Sequence, residues 1–224
     1  MIDKEILIFV EGPSDKVFLE VYLYFLEDIP IKNFKVQNIK GKDNLSQRLL
    51  EIEKYDKTLI IFDADKDYES NKKEILKVVS KTKQTISEEQ IFLFPNNQDD
   101  GDLETLLLEI TKHDEFLKCF EGYLECIKSK EYYKPIKNIR KNMLYAYLEV
   151  FELQKFFQYK WDTNNKKNEE NIIIDDKGKI KEKHQEEYEK LTEVIDFNSK
   201  SLIPLKNFLE KSTENKQKTN LKIF

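Results

Sequence analysis

Ile6-Leu7-Ile8-Phe9-Val10-Glu11-Gly12 and Leu59-Ile60-Ile61-Phe62-Asp63-Ala64-Asp65 decide the fold. Each is a short apolar run, rich in residues that favour strands, and each stops abruptly at carboxylates. Unbroken apolar runs of this length suit strands of a parallel sheet covered on both faces. In such sheets ligands collect beyond the carboxyl ends of the strands. Two neighbouring strands of this kind aim Glu11, Asp63 and Asp65 into one small volume. Carboxylates packed that closely repel one another, and a divalent cation is the usual counter-charge. The pattern predicts Mg2+ or Mn2+ binding, put to use on phosphates.

Around these two runs the first hundred residues alternate strand and helix. Ser14–Leu26 reads as a helix with Asp15 in its first turn, and Phe34–Ile39 as a second strand. Asp43–Tyr55 reads as a helix striped by Leu45, Leu49, Leu50 and Ile52, and Asn71–Ser80 as another. Gln90–Phe94 is a fourth strand ending at Pro95. This rhythm predicts an α/β, Rossmann-like fold: a mostly parallel four-stranded sheet with right-handed crossovers, flanked by helices. Later segments lack strands of that quality. Leu103–Ile110, His113–Lys130, Ile136–Tyr159, Glu182–Ile195 and Ser201–Glu210 read as helices. A polar insertion dense in Asn, Lys and Glu spans about 161–183. Within it, 171–180 reads equally as a small hairpin or a loop. The division falls near residue 112, with an α/β core over 1–112, a helical extension over 113–210 and a polar tail over 211–224.

The 224 residues suffice for one good-sized core, or for a core with an appendage. Apolar residues at 39% and charged ones at 36% describe a polar globular chain rather than a disordered one. The net charge of −5 lacks the strong basic excess that announces a nucleic-acid binder, yet leaves room for local basic clusters. Cys119 and Cys126 stand two helical turns apart. That separates them by about 10 Å, too far for a disulfide, so they read as reduced core residues. No apolar run approaches the roughly 20 residues that cross a bilayer, and no signal segment is seen, so a cytoplasmic protein without membrane contact is expected. The absence of a Cys/His cluster excludes structural zinc, and the absence of a Gly-rich lysine loop excludes ATP hydrolysis by this chain alone. His113 and His184 sit in charged surroundings and read as surface positions. Tyr145, Tyr147, Phe151, Phe156 and Phe157 fall at helical spacing, which reads first as core or partner face and second as base-stacking.

Three acidic segments carry the candidate chemistry. In Val10-Glu11-Gly12-Pro13-Ser14-Asp15, Gly12 lets the chain turn out of the strand and a helix begins near Ser14. Asp15 reads equally as a helix cap and as a ligand, whereas Glu11 has no capping duty. In Asp63-Ala64-Asp65-Lys66-Asp67, strand alternation would put Asp63 and Asp65 on one side. Asp63, Asp65, Asp67, Glu69 and Glu74 also match calcium-loop spacing, but Tyr68 occupies the required glycine and a strand precedes the loop. A haloacid-dehalogenase type of phosphatase also uses Asp-x-Asp after a strand, but that motif normally opens its fold and carries a Thr or Val missing here. In Phe94-Pro95-Asn96-Asn97-Gln98-Asp99-Asp100-Gly101-Asp102-Leu103-Glu104, Asp102 reads as a cap and Glu104 as suited to the helix dipole. All three segments fall at one edge of the predicted sheet.

Taken together, Glu-Gly after the first strand, Asp-x-Asp after the third and Gly-Asp-Leu-Glu after the fourth resemble the Toprim fold. Val-Glu-Gly-x-x-Asp, Phe-Pro-Asn and Gly-Asp-Leu-Glu are closest to OLD-family-like nucleases and to small stand-alone Toprim proteins of undefined role. The resemblance covers residues 5–110 well and the rest weakly, through Tyr145-Ala146-Tyr147-Leu148, Trp161-Asp162 and Leu202-Ile203-Pro204-Leu205-Lys206-Asn207-Phe208-Leu209. It implies a metal-dependent nuclease of DNA or RNA, working in phage defence or genome maintenance. Glu11 would be a metal ligand and the general base or acid. Asp63 and Asp65 would hold Mg2+ or Mn2+, with Asp15, Asp67 and Glu104 completing one or two sites. Lys141 would stabilise the transition state, with Lys137 or Arg140 as substitutes. A topoisomerase gate has no room in this length, and the zinc domain and extension of a primase are missing. The alternative is a non-catalytic Toprim module that binds nucleic acid or regulates a partner ATPase, in either case with a homo-oligomer as a further partner arrangement.

Overall fold

The computed structural model describes residues 6–29, 34–82, 86–155 and 179–213. Its centre is a four-stranded sheet in the order β2-β1-β3-β4, from Phe34–Asn38, Ile6–Val10, Lys57–Asp63 and Ile91–Phe94. Every pairing is parallel. The fold is therefore α/β and Rossmann-like, and the sheet is wholly rather than mostly parallel.

Side-chain alternation divides each inner strand between two apolar layers. Ile6, Ile8 and Val10 of β1, Leu59 and Ile61 of β3, and Phe92 and Phe94 of β4 face one way. Leu7 and Phe9, Ile60 and Phe62, and Ile91 and Leu93 face the other. Both sets are almost fully buried, which is why the runs carry no alternating polar residue.

Helix α1 (Pro13–Phe25) covers the first face, while α2 (Leu49–Ile52) and α3 (Tyr68–Val79) cover the second. The chain leaves β1 over one face to reach β2, then returns over the other to β3. That reversal makes the gap between the ends of β1 and β3 the topological switch point, where ligands of such sheets bind.

Among the described residues, four more helices and a short one follow: α4 (Leu103–Glu109), α5 (Asp114–Lys128), α6 (Ile139–Val150), α7 (Glu182–Val194) and α8 (Ile203–Thr213). Leu144, Tyr147, Leu191, Val194, Leu205 and Leu209 from the last three of these join α1 in the same buried cluster as the sheet. Residue 112 therefore separates two patterns of secondary structure, and one core runs through both. The Tyr147 hydroxyl donates to the Val194 carbonyl at 2.6 Å, and Phe208 lies 5.4 Å from Phe92 between ring centroids. Lys57, at the start of β3, donates to the Ser212 carbonyl at the end of α8.

Several expectations are corrected. Asp43–Tyr55 is a 3-10 turn at Lys42–Gln47 followed by the single turn α2, with Leu50 75% exposed. The Asn44 amide donates to the Lys40 carbonyl, offering the backbone a local alternative to helix. Helix α6 starts at Ile139 after Asn138, which is left-handed at φ 53°, and stops at Val150. Glu152 is also left-handed, and the Leu153 and Glu152 amides donate to Leu148 and Glu149, closing the helix as a Schellman motif. Cys119 and Cys126 are exposed, since Leu124 is the buried residue of α5. His184 is buried, with Nδ1 3.1 Å from Glu187 Oε2. Residues 211–213 belong to α8 rather than to a tail. Phe156, Phe157, Trp161, residues 171–178 of the hairpin reading and 214–224 lie outside the described residues. No helix among the described residues is long and apolar enough to cross a membrane.

Candidate functional site

Glu11 follows the last residue of β1, and Asp63 is the last of β3. The Asp63 amide donates to Glu11 Oε1 at 3.1 Å, so the two strand ends are tied across the switch point. The Leu103 amide, first in α4, donates to Asp63 Oδ1 at 2.9 Å. One chain of backbone-to-carboxylate bonds therefore runs from β1 through β3 to α4. Glu104 lies one residue further along the α4 turn, and Asp15 one turn into α1.

The capping role is the one seen for Asp15. Its Oδ2 accepts from the Gly12 amide at 2.8 Å, the side-chain half of a capping box, while the carboxyl stays buried against the other acids. Gly12 itself is extended at φ −129° and does not need glycine for its turn. The Asp15 carboxylate stands 3.6 Å from where a Cβ on Gly12 would lie.

The electrostatics are those of acids crowded away from water. Burial, followed by the charges of Asp15 and Glu11, pushes Asp63 up to about 9 from 3.8. Burial also takes Glu11 to about 7, against the pull of the Asp63 amide. Asp15 and Glu104 are likewise raised, burial first, and Lys141 acts against the shift in both. Asp102 goes the other way. Burial opposes its charge, but Arg140 and Thr105 overrule it and hold the carboxyl below its ordinary value.

Strand geometry does not persist past Asp63. Asp65 is left-handed at φ 54°, and its amide donates to the Gly101 carbonyl at 2.7 Å. Its side chain is half exposed and pairs with Lys42, whose ammonium donates to Asp65 Oδ2 at 2.6 Å and to Asn71 Oδ1 at 2.8 Å. Asp65 still lines the cleft. Asp67 is placed elsewhere: exposed, it caps α3 by accepting from the Ser70 amide at 2.9 Å. The Tyr68 amide donates to Asp100, so the loop after β4 also holds the start of α3.

Opposite the carboxylates stands the start of α6. Arg140 donates from Nε and a terminal nitrogen to Asp102 Oδ2 at 3.2 and 2.8 Å. Arg140 and Lys141, with Asn138, Ile136 and Ile139, line a cleft of about 430 Å³ whose other wall is Asp63, Asp65, Asp102 and Glu104. Lys141 Nζ is 5.9 Å from the Tyr145 ring centroid. A larger groove of about 900 Å³, lined by Tyr22, Tyr24, Phe25, Tyr188 and Phe197, lies at the far end of α1. That end is about 20 Å along the helix from Glu11.

Sequence reasoning missed Lys42, Asn71 and the Arg140–Asp102 pair. Lys42 follows Gly41 just beyond β2, and a strand next to β1 must release its chain near Glu11. That topological signal was available, whereas the partner of Arg140 was not.

The donor set is all hard oxygen, which suits Mg2+ or Mn2+. Among the described residues, no three His, Cys, Asp or Glu side chains already stand as a ready chelating group. Burial first, then the neighbouring carboxylates, raise Glu11, Asp63, Asp15 and Glu104, and a divalent cation would supply the charge that offsets both.

Gly101 holds the third acidic loop against the second. Its φ is +149°, and a Cβ there would stand 2.9 Å from Pro95 Cδ and 3.2 Å from Thr105 Oγ1. Gly101→Ala is expected to cost about 2–3 kcal/mol, from strained backbone and forced displacement of the proline ring. Thermal melting should register this as a fall of about 4–12 °C in a chain of this size. An unchanged melting temperature would mean that the loop relaxes freely.

Strand order and site together define a parallel α/β protein with an acidic cleft at its switch point, faced by a basic helix start. The chain matches the family described as "Protein of unknown function (DUF3226)" over residues 5–214, and belongs to it. Comparison with curated proteins and with solved structures finds no match.

Proposed function

We propose that this protein is a divalent-metal-dependent phosphodiester hydrolase of the Toprim type, acting on DNA or RNA in the cytoplasm. The observation that carries the reading is the carboxylate group at the switch point, with Asp15 buried and Glu11, Asp63 and Glu104 partly buried, and with Arg140 and Lys141 across the cleft from Asp63 and Glu104. Glu11, Asp63 and Glu104 would hold Mg2+ or Mn2+, with Asp15 and Asp65 beside them. The ion, when bound, supplies Lewis-acid polarisation of a phosphodiester and a lowered water pKa. The chain's own contribution is positioning and charge. Backbone amides fix one oxygen each of Glu11, Asp63 and Asp15, and Lys141 offers a cation where a phosphate would carry growing negative charge. Without the ion, burial takes Glu11 to about 7, so binding of the ion near neutral pH would displace a proton from it.

Plasmid DNA, single-stranded DNA and bulk tRNA, incubated with the purified chain and Mg2+ or Mn2+, test this directly. Cleavage that needs the metal and disappears in Glu11→Ala is expected. Cutting that persists in chelator, or in Glu11→Ala, would overturn the reading. A binding module without turnover is the alternative, favoured by the absence of a ready chelating group among the described residues. Such a module would keep its nucleic-acid affinity in chelator and cut nothing.

A further inference from the structure

Residues 128–141 form a strap between the end of α5 and the start of α6, and their composition departs sharply from the rest of the chain. Lys128, Lys130, Lys134, Lys137, Arg140 and Lys141 stand against the single acid Glu131. The strap thus carries a net charge of +5 in a chain whose total is −5, leaving −10 on the remainder. All six cations are exposed. Arg140 is bonded to Asp102, and the other five form no ion pair with a described residue.

Two aromatic side chains interrupt the cations. Tyr132 and Tyr133 are 76% and 48% exposed, unusual for adjacent large rings, and lie 4.6 Å apart between centroids in an edge-to-face arrangement. The strap is not remote from the site. Its last residues, Ile136, Asn138, Ile139, Arg140 and Lys141, are themselves the basic wall of the cleft.

Clustered, exposed cations attract the phosphates of a nucleic-acid backbone, and the exposed rings among them offer faces on which unpaired bases stack. A duplex hides its base faces, so the rings add affinity only for a single strand. An anionic lipid surface would also attract lysines and tyrosines, but a flat surface does not continue into a cleft. We infer that the 128–141 strap is a docking track for single-stranded nucleic acid. It stacks bases on Tyr132 and Tyr133, holds phosphates on Lys130, Lys134 and Lys137, and feeds the backbone past Arg140 and Lys141 to the carboxylates. This names the substrate class of the site and rests on the proposed function only for what happens after docking.

The test is fluorescence anisotropy with labelled oligothymidylate and oligouridylate, on the full chain, in chelator so that nothing is cut. Wild type is expected to bind the single strand at least tenfold more tightly than the same sequence annealed to its complement. Tyr132→Ala/Tyr133→Ala should weaken single-strand binding by about tenfold or more, and Tyr132→Phe/Tyr133→Phe should restore it, since stacking needs the ring and not the hydroxyl. Lys134→Glu/Lys137→Glu should flatten the salt dependence by about 0.7 in log–log slope for each phosphate that is no longer neutralised. All three changes are on exposed side chains, and the phenylalanine pair keeps the test valid if the alanine pair folds poorly. Equal affinity for duplex and single strand, or an alanine pair that binds like wild type, would overturn the inference. Binding to phosphatidylserine vesicles without binding to either oligonucleotide would do the same and assign the strap to a lipid surface. Strand-selective binding in a protein that cuts nothing would leave the track standing and remove the hydrolase. Cleavage of duplex and single strand alike would do the reverse.

Discussion

Asp63→Asn is expected to lower metal-dependent cleavage by about a hundredfold or more and, in the same preparation, to raise the melting temperature. The first effect follows from the position of Asp63 at the end of β3, tied to Glu11 on one side and to α4 on the other. Even groups standing behind a metal ligand typically cost about 10–100-fold when changed, and a direct ligand should cost no less. The second effect follows from charge. Asn keeps an oxygen to accept the Leu103 amide but removes a partly buried carboxylate that faces Asp15 and Glu11. Relief on the order of 2 kcal/mol would lift the melting temperature by about 4–8 °C for a chain of this length. Asp67→Asn is the matched control. Asp67 is exposed and caps α3, and asparagine caps equally well, so both readouts should stay at wild type. Undiminished cleavage in Asp63→Asn would sink the assignment, and a lower melting temperature would show that the carboxylate is stabilising as it stands.

Without divalent cation, stability is expected to fall as pH rises between about 4.5 and 9. Glu11 titrates at about 7 in the folded chain against an ordinary 4.5, and Asp63 at about 9 against 3.8. Between those limits the folded chain holds protons that the unfolded chain has released, so raising the pH favours unfolding. The stabilising contribution is complete below the ordinary values, is lost for Glu11 by about pH 7, and continues to drain through Asp63 up to about pH 9. Asp102 works in the opposite sense. Held low by Arg140 and Thr105, it contributes above its ordinary value and loses that contribution on acidification, outside this window. Added Mg2+ or Mn2+ should restore stability by an amount that grows with pH, because the ion competes with protons for the same oxygens. Scanning calorimetry across the range, with and without the ion, reads both trends. A melting temperature that is level from pH 5 to 9 without metal would mean that the acids are already ionised and compensated.

The parts of this molecule legible in its sequence are those fixed by local rules. β1 and β3 announced themselves because strands buried on both faces cannot afford polar alternation, and Glu11 and Asp63 were legible because a strand end fixes its own position. Asp65 was harder to place. Its left-handed backbone ends the alternation that would have set it beside Asp63, and that conformation is imposed by the Gly101 carbonyl from a distant loop. Asp67 obeys the ordinary logic of a cap, which spacing alone cannot separate from that of a ligand. Lys141 was reached only through the resemblance to OLD-family-like nucleases, and its place in the cleft depends on the packing of α6 against α4. Lys42 was within reach of the strand order, since the chain leaving β2 must pass near Glu11, whereas the Arg140–Asp102 pair comes from tertiary contact, which local pattern does not encode. His184 and the two cysteines failed for a related reason, since burial on a helix is decided by the neighbour it meets.

The bond from Lys57 to the Ser212 carbonyl joins positions 155 residues apart, and it closes the same apolar layer that α1 begins. A fragment ending at residue 112 would keep the four strands of the sheet yet uncover Phe92, against which Phe208 packs, and the α1 residues Tyr22 and Phe25, against which Phe197 packs. Such a fragment is a sticky half-shell rather than a miniature of the protein. On the ribosome that layer stays incompletely covered until α8 has emerged, and apolar surface left open during synthesis is prone to aggregation.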